Sequence, residues 1–435
     1  MLMRGGSWIP ALALAVLCAL TGGAHAQSPA PGKAEPLAAW VQLVDGGVAE
    51  ARAVIDGPTC PEATVDGQAQ AMSVRAPVDA AAFPQTVCAL TLPKAARSVS
   101  VAGRTLPPPP PAQVNRILVF GDTGCRIHPP KIQDCNDPRA WPFTLVARRA
   151  AAEKPDLVIH VGDYYYRELP CPAGYAGCAN SPHGDLWPSW QADFFDPSRP
   201  LLDAAPWVFA RGNHEACNRG WKGWFRMLDA APYKPVCDWG AAAFAVPIGG
   251  LTLHVFDSAD AEDRVSQIGE VHFVQHQLDS LPKASATHED WIVTHRPFWG
   301  EAPVFSLGPL GVFNVGLNRT EQAAAQGKDL SAVAMIVSGH IHHFASFDFG
   351  PARPAQLVVG TGGDIGETFD PAKLQATQVY IDGLEADTLT FQQYGYFLLE
   401  RGPSGWTGMF KDLDGKPVAR CTLEGRRLSC SGVKS

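Results

Sequence analysis

Seven residues with oxygen or nitrogen donors follow short apolar runs. Asp122 follows Ile117-Leu118-Val119-Phe120 and a glycine, and Asp163 follows Leu157 to Val161 and a glycine, with Tyr166 three residues later. Asn213, with His214 and Glu215 after it, follows Trp207 to Ala210. His295 ends the run Trp291 to Thr294, and His340 and His342 follow Ala334 to Val337. Two carboxylates, a phenol, an amide oxygen and three imidazoles suit iron, manganese or zinc rather than a soft, thiophilic metal. One ion could not use all seven donors, whereas two neighbouring ions sharing a bridging carboxylate could. A phenol with an ordinary pKa of about 10 is a poor ligand until ionised. Its use as a phenolate calls for a strongly charged, hard ion, and ferric iron fits best.

The elements that must position these donors are legible as patterns. Continuous apolar runs of this length, rich in branched residues, read as strands buried on both faces; Leu251 to Phe256 and Leu357 to Val359 add two more. Phe143 to Lys154 and Gln267 to Leu281 read as helices, the second with Ile268, Val271, Val274 and Leu278 on one face. Strands alternating with helices imply an α/β core with covered sheets. Sites in such sheets form outside the carboxyl ends of strands, so the donor-bearing turns could converge on one pocket. Alone, a Gly-Asp after a strand is more often a turn, and a His-x-His on a loop is usually structural. Five such turns in one chain reverse that balance. His160, inside a strand, reads as a buried, hydrogen-bonded histidine, and Tyr164 and Tyr165 as packing or rim residues.

Outside this core, residues 1–26 read as a signal peptide: Arg4, an apolar run from Ile9 to Leu20, then Ala24-His25-Ala26 before cleavage. That run is too short to serve comfortably as a membrane anchor. Of the 11 cysteines one lies in this leader, and the even remainder behind an export signal suggests disulfides, most economically between neighbours along the chain. Residues 27–106, with short alternating strands, suggest a small all-β, sandwich-like module preceding the core. The prolines of 107–112 read as a linker, 113–400 as the catalytic domain, and 401–435 as strands packed on it. The formal charge of −8 carries no basic nucleic-acid footprint, and the expected location is secreted or periplasmic. Oligomeric state is left open.

Gly-Asp-x-Gly at 121–124, Gly-Asp-x-x-Tyr at 162–166, Gly-Asn-His-Glu at 212–215, x-x-x-His ending at 295 and Gly-His-x-His at 339–342 occur in this order. With them the chain resembles the calcineurin-like metallophosphoesterases, specifically the purple acid phosphatase type. Gly124 stands where most of the superfamily has a histidine ligand, and Tyr166 supplies the ligand used instead. One mild departure is Ile292, where the fourth motif usually opens with valine. The resemblance implies a two-sheet β-sandwich core flanked by helices, with Asp122, Tyr166 and His342 on Fe(III), Asn213, His295 and His340 on a divalent Fe, Zn or Mn ion, and Asp163 bridging. It implies hydrolysis of small phosphate monoesters by a metal-bound hydroxide, with His214 as general acid and Glu215 orienting or tuning its ring. Arg296, His343 and His183 are possible substrate contacts. A phosphodiesterase or nucleotide pyrophosphatase using the same site, or a non-catalytic binding protein on the same fold, are the alternatives.

Overall fold

The computed structural model describes residues 35–285, 288–306, 312–366 and 374–433. The leader expected at 1–26 lies outside the described residues. Two sheets dominate. The first has eleven strands, and its centre is a parallel trio of Arg116–Phe120, Leu157–His160 and Trp207–Phe209. The second has eight, around a parallel run of Leu251–Val255, Glu289–Val293, Val333–Ser338 and Ala355–Val359. These are the apolar runs expected to be buried on both faces. Leu118, Ile159, Val208, Ile292 and Ile336 are all fully buried. Burial of each such side chain contributes roughly 1.5–3 kcal/mol.

The sheets face one another through aromatic contacts. Phe344 of the second packs on Phe397 and Phe410 of the first, with ring centroids 5.5 and 5.3 Å apart, and Trp291 meets Trp406 at 5.2 Å. Helices Phe143–Ala152 and Ile268–Leu278 occupy the expected stretches. Val274 and Leu278 are buried as their spacing implies, but Ile268, the first residue of its helix, is exposed.

The strands before the prolines divide: four join the core's first sheet, and Glu62–Val65, Gln68–Ala71, Val99–Val101 and Arg104–Leu106 form a four-stranded sheet of their own. Ala38–Val44, buried along its whole length, runs parallel to Trp207–Phe209 with Gln42 opposite Trp207. Val48–Asp56, Gln85–Thr91 and Ser73–Ala76 continue outward from it. Residues Glu35–Ser435 form one compact unit. The physical reason is that Ala38–Val44 supplies the paired neighbour that the buried strand Trp207–Phe209 needs on its free side. The strand Gly395–Gly402 pairs with Arg116–Phe120 and begins the C-terminal meander.

Candidate metal centre

Every candidate ligand sits just beyond the carboxyl end of a parallel strand. Asp122, Asp163 and Asn213 leave the first sheet, and His295, His340 and His342 leave the second. Asp122, Asp163 and His340 take positive φ angles of 58, 61 and 68°. Such a conformation costs a non-glycine residue about 1 kcal/mol or more and persists only where surrounding contacts hold it. Those contacts are visible: the Asp122 N–H donates to the Gly162 carbonyl, the Thr123 N–H to the Asp163 carbonyl, and the Gly339 N–H to the His295 carbonyl, at 2.9–3.0 Å. Gly212 must lack a side chain, because a Cβ there would collide with Asp163.

The donors form two clusters. Asp163, His295 and His340 bring one atom each within 4.8 Å of one another, and so do Asp122, Asp163 and His342. Asp163 belongs to both. Asn213 Oδ1 lies 2.9 Å from both His295 Nε2 and His340 Nδ1, joining the first cluster. The Tyr166 hydroxyl joins the second, at 2.8 Å from Asp163 Oδ2, 3.2 Å from His342 Nε2 and 3.3 Å from Asp122 Oδ1. Outer contacts orient the imidazoles. His295 Nδ1 is 2.8 Å from the Val161 carbonyl and His342 Nδ1 2.7 Å from that of Ile365, so Nε2 of each is turned inward. His340 is reversed: its Nε2 faces the Asp263 carboxylate at 3.1 Å and its Nδ1 points inward. These are the partners that fix which nitrogen of a histidine is free to ligate.

The electrostatics suit cations. Asp122, Asp163 and Asp364 are all but fully buried together. Burial raises a carboxyl's pKa, yet His295 and His214 hold Asp163 well below its ordinary range. Burial lowers an imidazole's, yet Asp364 and Asp122 push His342 up to about 9. Burial, then Asp163, Asp122 and Asp364, drive the Tyr166 phenol well above 10. Only a strong positive charge at this place would reverse that. The donor types, the shared Asp163 and the excess of buried carboxylate fit a pair of ions.

Gly124 and Tyr166 are sterically linked. A Cβ at 124 would lie 2.7 Å from the Tyr166 ring and 2.8 Å from its backbone nitrogen, so a histidine at 124 and this tyrosine exclude one another. Tyr166 is held further by Asp193, fully buried, whose carboxylate accepts from the backbone N–H of Cys125, Tyr166 and Arg167.

His214 lies against the cluster, its ring centroid 3.6 Å from that of Tyr166. Glu215 does not orient that ring. Its buried carboxylate accepts from the N–H groups of Asp163, Tyr164, Tyr165 and Gly212 at 2.9–3.3 Å, tying two ligand loops together. The carboxylate beside the His214 ring is Glu168, Oε1 to Nδ1 3.1 Å. Arg296 borders the cluster through His340 and is ion-paired with Asp263. His343 is buried, which pushes its pKa down to about 3. His183 is exposed, and among the described residues no hydrogen bond or ion pair ties it to the cluster. His160 is buried between Thr123 and the Gly162 N–H, and Tyr164 and Tyr165 are packing residues.

Sequence reasoning missed Glu168, Arg219, Arg126 and Asp364. Asp364 had a signal, since it follows the strand Ala355–Val359 through a Gly-Gly turn like the other ligand loops. It contacts His342 Nδ1 at 3.3 Å and is ion-paired with Arg126, whose guanidinium lies 4.8 Å over the Tyr166 ring. The other three carry no local pattern.

The model of the calcineurin-like phosphoesterase family matches residues 115–344, which is 230 of the 435. The chain belongs to that family. The match spans every ligand loop of the cluster, from Asp122 to His342. Solved structures agree at the level of fold. Purple acid phosphatase PPD1 from yellow lupin (Lupinus luteus) seeds is 14% identical with a TM-score of 0.56, covering 91% of this chain and 74% of that one. PhoD is 10% identical with a TM-score of 0.51, covering 92% and 93%. No curated protein matches the sequence. The ten cysteines of the described residues are all paired between neighbours, as 60–88, 125–135, 171–178, 217–237 and 421–430.

Proposed function

We propose that this calcineurin-like phosphoesterase is an exported, dinuclear-metal enzyme of the purple acid phosphatase type that hydrolyses small phosphate monoesters. The observation that carries the reading is that Asp163 belongs to both ligand clusters while the Tyr166 hydroxyl closes one of them. Asp122, Tyr166 and His342 would hold Fe(III), and Asn213, His295 and His340 a divalent Fe, Zn or Mn ion, with Asp163 shared. The ions, when bound, supply an activated water and positive charge opposite the phosphoryl oxygens.

The chain's own residues supply the rest. Val161, Ile365 and Asp263 orient the imidazoles. Glu215 fixes the spacing of the Asp163 and Asn213 loops. His214, buried against Tyr166 beside the cluster, is the group placed to carry a proton to the leaving oxygen. Five disulfides support an oxidising compartment, secreted or periplasmic.

Purified protein assayed on a monoester and a matched diester tests the proposal. A clear monoester preference is expected. A strong diester or pyrophosphate preference would transfer the assignment to a phosphodiesterase or nucleotide pyrophosphatase, and absence of turnover in metal-loaded protein to a binding role.

A further inference from the structure

A cavity of about 700 Å³ is lined by the turn after the strand Ser73–Ala76 and by the loop that the 217–237 disulfide closes. None of its described lining residues is a candidate metal ligand. Pro77 and Val78 line it from the first segment, and Trp221, Tyr233 and Pro235 from the second. Arg226, also in the lining, is buried, and its charge has no counter-ion. Its Nη1 donates to the Tyr233 hydroxyl at 3.2 Å, its Nη2 to the carbonyls of Pro77 and Gln85, and its Nε has no partner among the described residues. Arg52, Arg104, Arg167, Arg211 and Arg296, the other buried arginines of the described residues, are each paired with a carboxylate. A buried charge without such a partner is strongly unfavourable, so Arg226 is the exception that calls for a ligand. Lys222 brings a second cation to the lining, its ammonium 5.9 Å from the Trp221 ring and in no ion pair among the described residues. Asp79 is the one carboxylate of the described lining, and its Oδ1 accepts from the Ala81 N–H at 3.1 Å rather than pairing with either cation.

We propose that this cavity is a binding site for a small organic anion, a carboxylate, sulfonate or phosphate group carried on a flat, apolar body. The anionic group supplies the counter-charge that Arg226 and Lys222 lack. The Tyr233 hydroxyl accepts from Arg226 and keeps its own hydrogen to donate to the ligand. The indole of Trp221, the ring of Tyr233 and the apolar side chains of Pro77 and Val78 give the flat body surfaces to lie against. The volume is that of sites for drug-sized ligands, about 300–1,000 Å³, and an apolar lining with a few convergent polar groups is their usual make-up. The site needs no metal and is independent of the hydrolytic reading.

Three matched probes separate charge from shape: benzenesulfonate has ring and charge, methanesulfonate the charge alone, and methyl phenyl sulfone the ring alone. Sulfonates ligate metal ions weakly, which limits competition from the cluster. Calorimetric titration of the purified protein should give one benzenesulfonate per chain, bound at least about 10-fold more tightly than either other probe. Lys222→Met and Arg226→Met should each weaken benzenesulfonate by about 10-fold or more and leave the sulfone unaffected. Trp221→Ala should erase the preference for benzenesulfonate over methanesulfonate. Should Arg226→Met fail to fold, Lys222→Met and Trp221→Ala, both at partly exposed positions, carry the test. No saturable binding of benzenesulfonate, a sulfone bound as tightly, or variants that bind like the parent would each overturn the site, and none of these results bears on phosphoester hydrolysis.

Discussion

Glu215 offers a sharp perturbation, because sequence and structure assign it different jobs. The Gly-Asn-His-Glu motif implies a carboxylate that tunes His214. In the structure its two oxygens instead accept four backbone N–H groups, from Asp163 and Gly212 on one and Tyr164 and Tyr165 on the other. Glu215→Gln replaces one oxygen with an NH2 that can accept nothing, so two buried N–H groups lose their partner. Each unsatisfied buried group costs about 1–3 kcal/mol, for a total of about 2–6 kcal/mol. At roughly 2 °C per kcal/mol for a chain this long, the melting temperature should fall by about 4–12 °C. The affected N–H groups belong to the Asp163 and Asn213 loops, so metal affinity should drop by about 10- to 100-fold as well. Calorimetry and metal analysis of the purified variant read both quantities. If Glu215→Gln keeps the parent's melting temperature and metal content and only turns over more slowly, the clamp is wrong and the tuning role is right.

Other outcomes follow from the same contacts. Gly124→Ala should displace Tyr166 and remove the phenolate-to-iron absorption that the proposed iron site predicts for the loaded parent, while the protein stays folded; a parent band unaltered in the variant would show that the two residues are not sterically linked. Asp193→Asn leaves the buried Arg167 guanidinium, 2.6 Å from the lost charge, without its partner. Removing one member of such a buried pair costs about 3–5 kcal/mol, and denaturant titration should show it. Glu321 is fully buried, its carboxyl oxygens meet no side-chain donor among the described residues, and burial pushes its carboxyl up to about 8 from an ordinary 4.5. Because the folded value is the higher one, the stability it contributes is complete below about 4.5 and is lost as pH rises through about 8. Glu321→Gln should therefore flatten the decline in melting temperature across that window; parallel curves for parent and variant would refute the assignment.

What the sequence made legible was whatever a short stretch of chain decides. An apolar run followed by a glycine and a donor specifies both a buried strand and a residue at its carboxyl end. Asp122, Asp163, Asn213, His295, His340 and His342 were readable for that reason. Tyr166 became specific only through Gly124, and the structure supplies the cause, since both cannot bear bulk. Contacts between distant loops leave no such trace. Glu168, Arg219, Arg126 and Asp193 reach the cluster through tertiary folding, and nothing about their neighbours in sequence marks them. Glu215 was found but its four N–H partners were not, because adjacency in sequence says nothing of which way a side chain turns. The N-terminal strands were legible as β, but the pairing of Ala38–Val44 with the core sheet is a long-range contact. Its run of apolar residues was the available clue.

The central claim is that Asp163 joins two metal sites, and metal stoichiometry tests it most directly. The loaded parent should contain two ions per chain, one of them iron, and hydrolyse a phosphate monoester. Asp163→Asn should lose bound metal and activity together. A parent holding a single ion, or an Asp163→Asn protein that keeps both ions and full turnover, would contradict the account.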